Sequence, residues 1–413
     1  MGPDHSREEA FLAGAARAFV WGEPPGSLEA AARLLDWEWI LRRAEAERLA
    51  PLLYAVGRRL PVLIPILDRL RTAWVAGRRQ HLLGVDQLRG LLSAFEADGV
   101  AVILLKGPAL GEALYPDPGL RPFTDLDLLV HPPDVPRAVS LLSALGYRHQ
   151  DPGHSRAYDL AWRHSACFVG AAGQADRLPV DLHWGLLDYP GIARGPSIDL
   201  EEVWERATKV GAWAQPARGL GPEDLLTYLA LHWAVHHAFS GLIWGLDLAL
   251  LLRRSGGNLD WEAVAERARR WRVAGALYFA LRGVEEEFAV GPAGPFLARL
   301  RPRGVRPAAL EWLRRREGEQ LERLDYLIPV LLMDRGSDLL RALATAALPP
   351  GAWARFRYGT ESLLGAYLAH YGRIGKVCLR TVRAAFPLTV PLPLTPPSPP
   401  RGERIQGEGA DSR

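Results

Sequence analysis

Cysteine is scarce in this chain. Its 413 residues include only two, Cys167 and Cys378. Two cysteines so far apart offer neither a disulfide framework nor a metal-ligand spacing, and a reducing cytoplasm suits them best. Charge of one sign hardly accumulates either. Fifty basic residues against 47 acidic ones leave a net charge of +3, too mild to point to a nucleic-acid partner. The opening MGPDHSREEAFLAG lacks the basic and apolar regions of a signal peptide. One stretch, Leu225 to Leu246, has no Lys, Arg, Asp or Glu and approaches the length of a membrane span. It carries His232, His236, His237, Ser240 and Gly241, however, so two buried helices meeting near Ser240-Gly241 are expected and no membrane span.

What is present is ordinary globular material, 48% hydrophobic and 23% charged, and long enough for two or three domains. Residues 8–93 have helical texture. Leu41, Ala44, Leu49, Leu52 and Leu53 recur at a spacing that allows a shared face, and Pro51 marks a helix boundary. The texture changes at Gly99. The run AVILL (101–105) suits a buried strand, with a helix following over 108–115. DLDLLV (125–130) alternates acidic and apolar residues as a strand does. Pro136 to Leu145 is an amphipathic helix stopped by Gly146. SACFVG (165–170) and LPVDLHW (178–184) are strands joined by AAGQADR, a hairpin signal.

This order describes an α/β core over residues 95–190, preceded by a helical region (1–94). A second helical region (191–385) follows, in which Asp260 and Trp261 open one helix and 360–385 form a basic amphipathic stretch with Arg373, Lys376, Arg380 and Arg383. The Pro- and Gly-rich residues 386–413 cannot build a core and are expected to be disordered.

The strongest chemical signal is Arg121-Pro-Phe-Thr-Asp-Leu-Asp-Leu-Leu-Val130. Side chains at i and i+2 of a strand share a face, so Asp125 and Asp127 project together. Two adjacent carboxylates repel unless a cation lies between them, and hard oxygen ligands favour Mg²⁺. Two such ions about 3.5–4 Å apart stabilise both oxygens of a phosphoryl transfer. A bare pair of acids at this spacing also occurs on exposed strands with no ion, so the flanking segments carry weight. Upstream, Lys106-Gly107 follows a strand. The glycine lets backbone N–H groups approach a phosphate and the lysine meets it as a point charge, or remains a surface lysine. Arg121 is either a bidentate phosphate clamp or half of a surface ion pair, and Thr124 beside Asp125 is a further candidate nucleotide contact. Downstream, Asp181 and His183 share a strand face. Asp181 would complete a two-metal site and accept an acceptor's proton. His183 orients Asp181, touches phosphate, or is bonded within the structure. His232 and His236, at i and i+4, can bind metal or line a pocket, and Trp233, Trp244 and Asp247 either line that pocket or fill core.

Together LLKGPAL, RPFTDLDLLV, LLSALGYRH and VDLHW resemble the bacterial uncharacterised nucleotidyltransferase family of the polymerase-β-like superfamily. The likeness extends to WEWILRRAEAERLAPLLYAV, PEDLLTYLALHWAVHH and WGLDLALLL, and so to residues 8–330. The resemblance implies an α+β fold, a small mixed-sheet core flanked by N-terminal and C-terminal helical regions. It implies NTP as substrate, two Mg²⁺ ions, Asp125 and Asp127 as metal ligands and Asp181 as the third acid. One departure stands out: where the superfamily carries Gly-Ser after the first strand, this chain has Lys106-Gly107-Pro108, without a serine hydroxyl. The expected activity is transfer of a nucleoside monophosphate to a hydroxyl of an unidentified acceptor; the alternative is a non-catalytic nucleotide-binding or scaffold protein that retains the fold.

Overall fold

The computed structural model describes residues 5–23, 26–60, 66–150, 160, 163–171, 177–187, 198–211, 217–255, 257–292, 295–314 and 327–385. The middle of the AAGQADR connection and the Pro-rich tail from 386 onward lie outside these residues. Among them, no helix is long and apolar enough to cross a membrane.

The N-terminal region is helical as its periodicity predicts: α1 (Ser6–Trp21), α2 (Gly26–Ala32), α3 (Trp37–Ala46), α4 (Ala50–Gly57) and the long α5 (Leu67–Ala97). Asp36 caps α3 by accepting from the Trp39 N–H. Leu41, Ala44, Leu49, Leu52 and Leu53 are all buried, but on two helices rather than one. The chain turns between α3 and α4, where Arg48 takes a left-handed φ of 59°. Pro51 sits in the first turn of α4, where its missing N–H costs nothing.

Seven strands form one mixed sheet among the described residues: β1 (Ile103–Leu104), β2 (Leu126–Leu129), β3 (Tyr147–His149), β4 (Ser165–Gly170), β5 (Val180–His183), β6 (Thr208–Val210) and β7 (Ala217–Gly219). Their spatial order is β3-β4-β5-β2-β1-β7-β6. β2 runs parallel to β5, and β1 parallel to β7; the other neighbours are antiparallel. The sheet therefore reaches past residue 190, through β6 and β7. Helices α6 (Pro108–Leu114) and α7 (Val135–Ala144) lie where the sequence predicts them, and α7 ends at Gly146 with φ 84°.

Strand alternation separates two cores. Leu104, Leu126, Leu128, Val180 and Leu182 pack with Leu88, Leu92 and Phe95 of α5 and with Val139 and Leu142 of α7. Ile103, Leu105 and Leu129 point the other way and join the larger core of the helical regions. The polar side chains of β2 and β5 share that second face.

The C-terminal region contributes α8 (Leu200–Glu205), α9 (Pro222–Leu231), α10 (Leu242–Ser255), α11 (Trp261–Arg270) and α12 (Ala274–Phe288), followed by shorter helices and a last one at Leu363–Ala385. Asp260 caps α11. The charge-free stretch is two helices, as expected. A π-helical turn (His232–His236) ends α9, and Ala238, Phe239 and Gly241 all take positive φ before α10 begins. Burial of Leu226, Leu229, Leu231, Ile243 and Leu246 in the common core explains the stretch's lack of charge without a membrane.

Candidate active site

The site is built on the ladder between β2 and β5. Asp127 is the direct partner of Asp181, and Leu129 of His183. Because Asp125 precedes Asp127 by two residues, all three acids face the same way. On the next strand Cys167 is paired with Asp181. Leu126, Leu128, Val180 and Leu182, on the opposite face, anchor these strands in the core.

A cleft of about 430 Å³ opens over this face. Lys106, Thr124, Asp125, Asp181 and His183 line it from the sheet side, and Tyr228, His232 and His236 from the helical side. Asp127 lies beneath, only 3% exposed. Lys106 Nζ is 3.0 Å from Asp127 Oδ1, and His183 Nε2 is 3.2 Å from the same oxygen. Both partners approach Oδ1 most closely, and no hydrogen bond reaches Oδ2 among the described residues. Lys106 Nζ also approaches His232 Nε2 at 3.4 Å, and His232 Nε2 is 3.1 Å from His237 Nε2.

The electrostatics follow from this crowding. Burial and then the neighbouring Asp127 push Asp125 up to about 6. Burial acts on Asp127 in the same direction, but Lys106 and His183 outweigh it and hold that carboxyl well below the usual range. Lys106 stays charged despite its burial because Asp127 faces it. Burial, then the charge on Lys106, depresses His232 strongly; its ring is neutral and accepts from the ammonium. Burial with Asp181 alongside pushes the Cys167 thiol up to about 12, so it is no nucleophile at neutral pH.

Ligand atoms of Asp127, Asp181 and His183 all lie within 4.8 Å of one another. Two carboxylates and an imidazole at that separation fit one divalent cation, and the free Oδ2 of Asp127 gives it a further point of attachment. Asp125 stands beside this group rather than within it.

Two expected nucleotide contacts lie elsewhere. Arg121 is 2% exposed. Its Nε and Nη2 donate to Asp247 at 2.7–3.0 Å, and the Tyr115 hydroxyl donates to the same carboxylate at 2.7 Å. Neither expected role is the one shown: Arg121 is in an ion pair, but a buried one rather than one at the surface. Asp247 is accordingly closed off, and Trp233 fills core. Gly107 does not line the cleft. Its φ of 61° lets the chain turn from β1 into α6, and a Cβ there would come within 3.4 Å of the Asp125 carbonyl. His232 and His236 line the cleft with rings stacked at 5.2 Å, and among the described residues they belong to no metal-ligating group. Sequence reasoning passed over Tyr228, although it sits one helical turn before His232 and so shares its face.

Residues 34–289, more than half of the chain, match the family described as uncharacterised nucleotidyltransferase. The chain belongs to this family. It is therefore a transferase enzyme, and the mixed sheet with flanking helices is a nucleotidyltransferase core. No curated protein and no solved structure matches this nucleotidyltransferase.

Proposed function

We propose that the enzyme transfers a nucleoside monophosphate from an NTP to a hydroxyl group of an acceptor, with Mg²⁺ held by Asp127, Asp181, His183 and Asp125. The observation that carries this is the pairing of Asp127 with Asp181 on adjacent parallel strands, with Asp125 two residues ahead on the same face. When bound, magnesium supplies Lewis-acid stabilisation of charge on the phosphoryl oxygens. The chain's own groups do the rest. Lys106 presents a buried positive charge to phosphate. Asp181, which reaches the cleft, takes the proton of the acceptor hydroxyl. The new bond joins the acceptor oxygen to the α-phosphorus, the α–β phosphoanhydride breaks, and pyrophosphate leaves. The helical wall of Tyr228, His232 and His236 faces the acceptor side. A net charge of +3 favours a small molecule, a sugar or a protein side chain over nucleic acid, and two free cysteines suit the reducing cytoplasm.

Calorimetric titration of ATP, GTP, CTP and UTP with Mg²⁺ tests this on the wild type and on Asp125→Asn/Asp127→Asn. The expected result is magnesium-dependent binding of at least one NTP that the double variant loses. Folded wild type that binds none of the four would overturn it.

A further inference from the structure

With Arg121 closed off by Asp247, two cationic side chains line the cleft: Lys106, whose charge Asp127 already offsets, and Arg163 just ahead of β4. A triphosphate carries more negative charge than these two side chains offset, so a further cation is to be expected near Lys106. Three cations surround the indole of Trp244: Arg48 Cζ lies 5.5 Å from its centroid, Lys106 Nζ 6.0 Å and Arg121 Cζ 6.0 Å. Two of them have carboxylate partners. Arg48 has none within ion-pair distance among the described residues. Its neighbour Glu47 is engaged elsewhere, accepting from the Leu242 N–H at 2.9 Å and pairing with Arg43 at 3.0 Å. The Arg48 charge nevertheless reaches His237, whose pKa is lowered by burial first and then by His236, Lys106 and Arg48.

The backbone gives a second, independent indication. Arg48 closes α3, with its own N–H on the Glu45 carbonyl and the Leu49 N–H on the Ala44 carbonyl at 2.7 Å, and it does so at φ 59°. Glycine is the relaxed choice for that left-handed position. Arg272 ends α11 in the same conformation but spends its charge on Asp338 at 2.7 Å. Arg48 carries the same strain with no carboxylate to match it. Side chains held in unfavourable backbone conformations concentrate at ligand sites.

We propose that Arg48, beside the Trp244 indole, binds the triphosphate of the nucleotide donor together with Lys106. This rests on the NTP-dependent activity proposed above. It gives the N-terminal helical region a direct part in donor binding, through the turn between α3 and α4. His237 stacks on the same indole at 4.5 Å.

The test uses Arg48→Gly and Arg48→Asn, both of which tolerate a left-handed backbone. Each is titrated with the NTP that the wild type binds and with the corresponding monophosphate, in Mg²⁺, beside Asp125→Asn/Asp127→Asn. Both variants are expected to melt within a few degrees of wild type, to lose about 10- to 100-fold in NTP affinity, and to change far less towards the monophosphate. NTP affinity within about twofold of wild type, with the aspartate double variant still inactive in binding, would overturn the role of Arg48 and leave the proposed function standing. Equal losses for NTP and monophosphate would overturn it as well, because they indicate a disturbed fold rather than a lost phosphate contact. If the wild type binds no NTP, the proposed function fails first and Arg48 falls with it.

Discussion

Two buried aspartates in this enzyme make an instructive pair. Asp247 is completely buried and saturated: Arg121 grips both of its oxygens and Tyr115 donates to one. Asp127 is nearly as buried, yet both of its partners crowd Oδ1 and two further acids stand beside it. The first arrangement leaves nothing for a ligand to do. The second leaves an acceptor atom open in a place where carboxylates repel one another, which is the condition a cation relieves. Buried charge alone does not distinguish structure from chemistry; the incompleteness of its coordination does.

That contrast can be broken most severely at the open site. Asp125→Asn/Asp127→Asn should reduce nucleotidyl transfer by about 10³-fold or more, the scale of several kcal/mol of charge stabilisation, while the melting temperature falls only modestly, because relief of repulsion among the acids offsets much of what Lys106 loses with its carboxylate. Activity assays with thermal melts on one preparation check both halves. At the closed site the signs reverse. Asp247→Asn strands the Arg121 charge and should cost about 3–5 kcal/mol of unfolding free energy, seen by denaturant titration. Replacing the whole unit with Arg121→Met, Asp247→Leu and Tyr115→Phe should recover most of that loss, and activity per folded molecule should persist. A triple variant as unstable as the single one would show that the ion pair does more than fill space. Lys106→Met belongs to the open site and should raise the KM for NTP about 10- to 100-fold, read from steady-state kinetics. The smallest effect is a control remote from both. Asp36→Ala removes the cap of α3 and should cost about 1 kcal/mol with no change in kcat.

Much of the core was legible because its signals are local. The alternation of Asp125, Leu126, Asp127 and Leu128 marks a strand with one apolar face, and the anchoring of Leu126 and Leu128 beneath the acids is what that alternation anticipates. The join near Ser240-Gly241 could be read from the composition of the stretch. Strands β6 and β7 could not. Each spans three residues, and Thr208 and Lys209 are exposed, so no alternation announces them; they exist because β7 completes the open edge of β1. The fate of Arg121 was equally illegible, since its partner lies 126 residues away and nothing near either residue indicates the pairing. The register of Asp127 against Asp181 depends on the same long-range pairing and was foreseen only as a shared type of face. The turn at Arg48 comes just ahead of the boundary that Pro51 marks, and the apolar spacing itself gives no sign of it.

The distance between the two paired acids is set by a rung of backbone hydrogen bonds. Neighbouring strands stand about 4.8 Å apart whatever side chains they carry, so the ladder between β2 and β5 works as a ruler that mutation elsewhere cannot stretch. The opposite wall of the cleft has no such gauge, because Tyr228, His232 and His236 hang from a helix end loosened by a π turn. Changes in that wall can reshape what the cleft admits while the spacing of the carboxylates stays constant.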